Sequence, residues 1–255
     1  MKSNPRTEKQ IWISGINPVR EALRAKGLPA GKLLLSRSDP RGRELEELAR
    51  LRNIPFDHAT RERLSELAGH SHHQGAVLEI AEFPYAGLED LLEKPLGERD
   101  PVLVLDSIQD PQNLGAILRS ACFLGAKAIV LPKDRSARVT AAVIKIAAGA
   151  TSYVPVVQVT NLVRALNEMK EAGFWTAGLD VQGDKTIYDA DLTVPLCLVV
   201  GNEQKGMRPL VRNACDLLLR IPASGPLQSL NAASAATIAL SEVLRQRLKA
   251  TAQKG

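Results

Sequence analysis

The chain has 255 residues, 45% of them hydrophobic, enough for one large domain or two ordinary ones, and two are expected. Its formal charge of +5 is compatible with a polyanionic partner without requiring one, and its three cysteines lack the spacing of a disulfide framework or a zinc site. No apolar run reaches the roughly 18 residues of a membrane span, and the polar start MKSNPRTEKQ has no apolar stretch behind it, so a soluble cytoplasmic protein is expected.

From residue 17 to 83 helix-like and strand-like pieces alternate: PVREALRAKG closing on Gly27, KLLLS, RELEELARLRNI, RERLSELAG and GAVLEIAEF. They predict a small α/β domain over residues 1–82. PYAGLEDLLEKPLGERD, with two prolines and a charged tail, reads as a linker over 83–100 with the boundary near 98. Over 101–255 short β-branched runs recur with helices between them: VLVLD, AIVLP, YVPVV, WTAGLDV, LCLVV and LLLRIP. This alternation predicts a mostly parallel sheet covered by helices. The last helix is expected over about 231–249, with Ala233, Ala236, Leu240, Val243, Leu244 and Leu248 along one side.

Ligands of such sheets collect beyond the carboxyl ends of the strands, and three segments there are unusual. After VLVLD, the stripe Leu114, Ile117, Leu118, Ala121 and Leu124 predicts a helix stopped by Gly125. Asn113 then reads as its N-cap, and Arg119, outside the stripe, as a solvated arginine or a functional one. After LCLVV, Gly201 leaves the backbone open to a ligand and Gly206 is expected to open a short helix. Glu203 is either an acid complementing that helix's first turn or a partner for a positive group. After LLLRIP, Ser229 and Asn231 precede the last helix, where one of the two is expected to cap it. Neither GxGxxG nor GxxxxGK[ST] follows any strand, which disfavours a Rossmann-type or P-loop nucleotide enzyme.

In their order, NLGAILRSA, VVGNEQKGMRPLV and IPASGPLQSLNAASA resemble the three motifs of the SpoU (TrmH-like) branch of the SPOUT RNA methyltransferases. The resemblance extends to LPKDRSARVTAAVIKIAAGA, GINPVREAL and HHQGAVLEI, and so covers nearly the whole chain. It implies a carboxy-terminal α/β domain tied in a deep trefoil knot, an L30e-like RNA-binding domain before it, and a homodimer whose site is completed across the subunit interface. It also implies S-adenosyl-L-methionine as cofactor, lying against backbone at Gly201, Ile221 and Leu230, with Asn113, Arg119, Glu203, Ser229 and Asn231 at the catalytic positions. The second motif departs from the usual pattern at Asn202 and Gln204, where relatives carry a small residue and a glycine.

The activity so implied is 2′-O-methylation of an RNA ribose, with a guanosine of large-subunit ribosomal RNA as the first expectation. A transfer RNA or a ribosomal adenosine is the alternative substrate, and an inactive RNA-binding assembly factor the alternative class. A ribose hydroxyl is a poor nucleophile until it loses its proton, so a fixed positive charge beside the developing alkoxide is the natural task for Arg119. Asn113 and Asn231 are expected to hold arginine and ribose in register, and Ser229 to orient the hydroxyl or its loop. Glu203 is expected to steady that array or accept the proton. Arg37, Arg41 and Arg43 in SRSDPRGR form either a solvated turn or a phosphate-contacting patch. His70, His72 and His73 are expected in loop hydrogen bonds or RNA contact, with no metal, because no cysteine or acid stands at ligand spacing.

Overall fold

The computed structural model describes residues 11–24, 30–80, 83–95, 97, 100–227 and 229–252, so the expected helix stop at Gly27 and the boundary near 98 lie outside the described residues. The described chain forms two compact units. One runs as far as Pro84 and takes in Val139–Tyr153; the other comprises Tyr85–Arg138 and the chain from Val154 onward.

The first unit holds a four-stranded sheet of β1 (Ile11–Ser14), β4 (Ala76–Ile80), β2 (Ala30–Leu35) and β3 (Phe56–His58), in that order. Its pairings are antiparallel except for β2 with β3. Three helices join the strands: α1 (Ile16–Arg24), α2 (Pro40–Leu51) and α3 (Arg61–Ala68). Asp39 caps α2 by accepting from the Gly42 N–H at 3.0 Å, Pro40 fits the first turn, and Thr60 caps α3. Arg41 and Arg43, expected in a loop, therefore lie in the first turn of α2. The core includes Ile13, Leu23, Leu33, Leu45, Leu64 and Leu78, all essentially inaccessible.

Residues 139–153, which the sequence places in the second half, belong to this first unit. Here α6 (Ala141–Ala147), capped by Thr140, packs against β1, and a 3-10 turn at Ala150–Ser152 packs against α1. Tyr153 donates its hydroxyl to Glu21 at 2.5 Å. A Cβ on Gly149, whose φ is +94°, would lie 2.5 Å from Glu21 Cβ, so glycine permits both the turn and the close approach.

The second unit is a seven-stranded sheet in which every pairing is parallel, as the alternating pattern predicts. Its order is β7 (Val156–Val159), β6 (Ala128–Pro132), β5 (Val102–Leu105), β10 (Leu196–Val200), β8 (Trp175–Leu179), β11 (Leu217–Arg220) and β9 (Lys185–Thr186). The late strand β10 is inserted between β5 and β8, and there the order reverses. On one face Val102, Val104, Val130, Val157 and Val199 pack with residues of α4 (Leu88–Leu92) and α7 (Leu162–Glu171). The alternating residues Leu103, Leu105, Leu198 and Val200 point the other way and are equally buried. Burying each such side chain contributes about 1.5–3 kcal/mol, which explains runs apolar at every position.

Three more helices complete the unit: α5 (Pro111–Phe123), α8 (Pro209–Asn213) and α9 (Ala232–Ala252). Helices α5 and α9 pack together, with Thr237 and Ser120 hydroxyls 2.8 Å apart. Along α9 the expected stripe is buried at Ala233, Ala236, Leu240 and Val243, but Leu248 near its end is exposed. No described helix is long and apolar enough to cross a membrane.

Candidate functional site

The switch in strand order gathers the carboxyl ends of β5, β10, β8 and β11, where the connections carry the three segments singled out from the sequence. In the first, Asp110 is the N-cap of α5, accepting from the Gln112 N–H at 2.9 Å, with Pro111 at the first helical position. This corrects the expectation of a cap at Asn113, since Asp-Pro is the stronger start signal. Asn113 instead lies within the first turn, and its side-chain amide donates to Glu203 Oε1 at 2.5 Å. The helix ends at Phe123 and Gly125 turns away at φ +83°, as expected.

The second segment folds back on itself. Asn202 and Gly206 exchange backbone hydrogen bonds at 3.0 and 2.9 Å, with Gly206 at φ +64°. Gly206 therefore closes a turn and does not open a helix; α8 begins only at Pro209. Glu203 sits in this turn, outside the first turn of α8, and is free to receive Asn113. Only glycine fits at position 201, where a Cβ would come within 2.3 Å of backbone atoms of Gly206 and Met207. Asn202 stiffens the turn further. Its side-chain oxygen accepts from the N–H groups of Gln204 and Lys205, and its amide donates to the Ser107 carbonyl at 3.1 Å.

An acid that sequence reasoning missed anchors the whole loop. Asp106, directly after β5 and fully buried, accepts from the Arg208 backbone N–H and from its Nε, both at 2.7 Å. A buried carboxylate needs such a partner, because left unpaired it would cost several kcal/mol. Asp106–Arg208, Ser107–Asn202 and Asn113–Glu203 thus tie the second segment to the first. The signal was present in the sequence: an aspartate ends an otherwise apolar strand.

In the third segment Asn231 is the residue that caps α9, accepting from the Ser234 N–H at 2.7 Å. Ile221, Ser229 and Leu230 precede it in extended or irregular chain. The second and third segments, with residues that follow β8, bound a cavity of about 770 Å³, lined among others by Gly201, Glu203, Ile221, Ser229 and Leu230. Five of the eight sequence-predicted residues therefore meet at one hollow, and Asn113 is one hydrogen bond from its wall. Asn231 and Arg119 are not among the lining residues, and Arg119 stands on an exposed face of α5.

Asp180, after β8, and Arg212, on α8, also line the cavity and pair at 2.7 Å. Burial alone would raise the Asp180 pKa, but Arg212 and the Gln182 N–H hold it below the usual carboxylate range. No cysteine is poised as a nucleophile. Burial pushes the half-buried Cys215 up to about 12 and also raises Cys122, while Cys197 is fully buried. Cys122 and Cys215 are less enclosed than their apolar neighbours in sequence imply.

In the first unit, the Arg37 guanidinium binds Asp39 and donates to the Gln74 carbonyl at 2.8 Å, whereas Arg41 and Arg43 are exposed. His73 is buried between the Ser65 hydroxyl and the Gly75 N–H, each 3.1 Å away, and is a loop-building residue. Ser14 Oγ and Lys145 Nζ lie 3.1 and 3.4 Å from His70 Nε2; burial, then the Lys145 charge, lowers the His70 pKa. His72 is exposed. Among the described residues no three histidines, cysteines or acids stand together as a metal site.

Residues 100–241 match the SpoU rRNA Methylase family, and residues 12–86 match the family described as RNA 2′-O ribose methyltransferase substrate binding. The chain is 42% identical over 250 residues to the 23S rRNA (guanosine-2′-O-)-methyltransferase RlmB of Pseudomonas aeruginosa, covering 97% of this chain and 92% of that protein. It is 42% identical over 251 residues to an uncharacterized tRNA/rRNA methyltransferase of Mycolicibacterium smegmatis, covering 96% and 80%. The crystal structure of the SpoU methyltransferase AviRb from Streptomyces viridochromogenes with the cofactor AdoMet superimposes with a TM-score of 0.81 at 26% identity, covering 97% and 95%.

Proposed function

We propose a function from one premise: the chain belongs to the SpoU rRNA methylase family. It is an S-adenosylmethionine-dependent RNA 2′-O-methyltransferase, and its substrate is a guanosine of 23S ribosomal RNA, as named for the Pseudomonas relative. The observation that carries this reading is the cavity bounded by Gly201, Ile221, Ser229 and Leu230.

The residues present fit the cofactor. A volume of about 770 Å³ suits a ligand of nucleoside size, and apolar walls at Ile221, Leu230 and Ile238 alternate with backbone of the 201–206 turn. Gly201, Ile221 and Leu230 would hold it, and when bound it supplies an electrophilic methyl group on a good leaving sulfur. The protein's own tasks are alignment, which can lower a barrier by roughly 7–11 kcal/mol, and stabilisation of the sugar oxygen as it loses its proton. Arg119 serves the second task as a fixed cation against the RNA phosphate and the developing alkoxide. A guanidinium is too weak a base to take the proton itself.

Asn113 and Glu203 act as a bonded pair, which steadies the wall beneath the reacting groups. Ser229 orients the hydroxyl from the cavity lining, and Asn231 fixes the start of α9 beside it. Arg119 lies outside the cavity lining of its own chain, and Phe123, one helical turn further along α5, is 86% exposed. Both features support a homodimer in which Arg119 of one copy serves the cavity of the other. The family's trefoil knot and a cytoplasmic location belong to the same proposal. So does the division of labour in which residues 1–82 bind RNA, 83–100 link, and 101–255 catalyse, with the 139–153 segment lent to the RNA-binding unit.

Incubation with methyl-labelled S-adenosylmethionine and unmodified ribosomal or transfer RNA, followed by mapping of the labelled nucleotide, tests the proposal. Label on a guanosine ribose of 23S rRNA is expected. Label on transfer RNA or an adenosine would reassign the substrate, and cofactor binding without transfer to any RNA would favour an assembly factor.

A further inference from the structure

Two acids line the cavity among the described residues, and only one has been given a task. Glu203 is occupied by Asn113, whereas Asp180 is built in from a different direction. It directly follows the last residue of β8, and its backbone N–H donates to the Leu219 carbonyl at 2.9 Å, so its position is as fixed as the sheet itself. One carboxylate oxygen accepts from Arg212 Nε at 2.7 Å and the other from the Gln182 N–H at 2.8 Å. Each oxygen of an ionised carboxylate can accept two hydrogen bonds, so each retains one acceptor position. The side chain of Asp180 is 16% exposed and that of Arg212 37%, and both face the same hollow.

A group that uses this acceptor pair must bring two adjacent donors. An ammonium or sulfonium would meet the Arg212 cation that already neutralises the carboxylate, and would be repelled by it. A vicinal diol brings two O–H donors and no charge, and so matches the pair without that penalty. An acid at the carboxyl end of a parallel strand is also where a ribose is met in other open α/β sheets.

We infer that Asp180, positioned by Arg212, accepts hydrogen bonds from the two ribose hydroxyls of the nucleoside bound in the cavity. It is thereby a specificity-determining residue for that nucleoside. The inference rests on the reading of the cavity as a cofactor site and adds the side chain that selects a ribose over a deoxyribose.

The test is calorimetric and needs no turnover. Wild type and Asp180→Asn are titrated with S-adenosylhomocysteine, with its 2′,3′-dideoxy analogue, and with 5′-methylthioadenosine, which keeps the ribose but lacks the amino-acid part. Wild type should prefer the ribose ligand over the dideoxy analogue by at least about tenfold, the usual size of a lost hydrogen bond to a charged group. Asp180→Asn should lose about tenfold on S-adenosylhomocysteine and on 5′-methylthioadenosine alike, while binding of the dideoxy analogue barely changes. Equal loss on all three ligands would reduce Asp180 to a structural part of the wall and overturn the inference. Loss on S-adenosylhomocysteine but not on 5′-methylthioadenosine would move the contact to the amino-acid end and overturn it equally. Failure of wild type to bind any of the three would instead overturn the cofactor reading beneath it.

Discussion

The two ends of α5 obey different rules. At its start Asn113 is half-buried and bonded to Glu203, ninety residues away in the chain. Six residues later Arg119 is exposed and stands apart from the lining of the cavity. One end is finished by its own chain; the other presents a cation outward. The difference separates building the pocket from completing the chemistry. Asn113 is satisfied within its own chain, whereas Arg119 is proposed to be completed by RNA and a second copy.

The largest effect expected from this contrast is at the outward end. Arg119→Ala should lower single-turnover methyl transfer by at least about a hundredfold, the usual effect of removing a transition-state donor. Affinity for S-adenosylhomocysteine should stay within about twofold. Loss of cofactor affinity in step with activity would erase the distinction between the two ends.

At the inner end the opposite signature is expected. Asn113→Ala should weaken both S-adenosylhomocysteine binding and methyl transfer, by about tenfold, because it frees the 201–206 turn as well as the helix start. A double-mutant cycle with Glu203→Ala should give a coupling of about 0.5–3 kcal/mol, as for residues in direct contact. Additive effects would show that the pair does not act as a unit.

Smaller effects are expected on stability and local titration. Asn231→Ala should cost about 1 kcal/mol of stability from the lost cap on α9, read by thermal or denaturant unfolding. Arg37→Ala should act on Asp39, whose carboxyl the Arg37 guanidinium holds at about 2. Because that pKa lies below the usual value near 3.9, the ion pair contributes stability above about pH 4 and loses it as pH falls through about 2. In the variant the Asp39 titration, followed by NMR, should move up towards the ordinary range.

Most of the second unit was legible because its strands are buried on both faces and so read as uninterrupted apolar runs, such as Val102–Leu105 and Leu196–Val200. Phe56–His58 and Lys185–Thr186 escaped because strands so short give a period of two no room to repeat. The apolar stripe of α5 fitted a start at Asp110 as well as at Asn113, since the first turn lies outside it. The aspartate–proline pair that decides between them was on the page. Arg208–Pro209 similarly marked the start of α8, which Gly206 obscured. The packing of 139–153 against β1 and α1 had no local signal, because long-range packing leaves no trace in spacing. Within the site, motif resemblance pointed to five residues of the cavity lining but not to their partners, and the anchoring acids Asp106 and Asp180 emerged only when the strand ends met.

The central claim is that the cation of one copy serves the cavity of another. It is tested most directly by mixing two variants each inactive alone, Arg119→Ala and the cavity-filling Leu230→Trp, after unfolding and refolding them together. If Arg119 acts across the dimer, each mixed dimer holds one cavity that is open and faced by an intact arginine, and methyl transfer should return to about a quarter of the wild-type level. No recovery from a mixture shown to contain mixed dimers, or a protein that stays monomeric while active, would contradict the account.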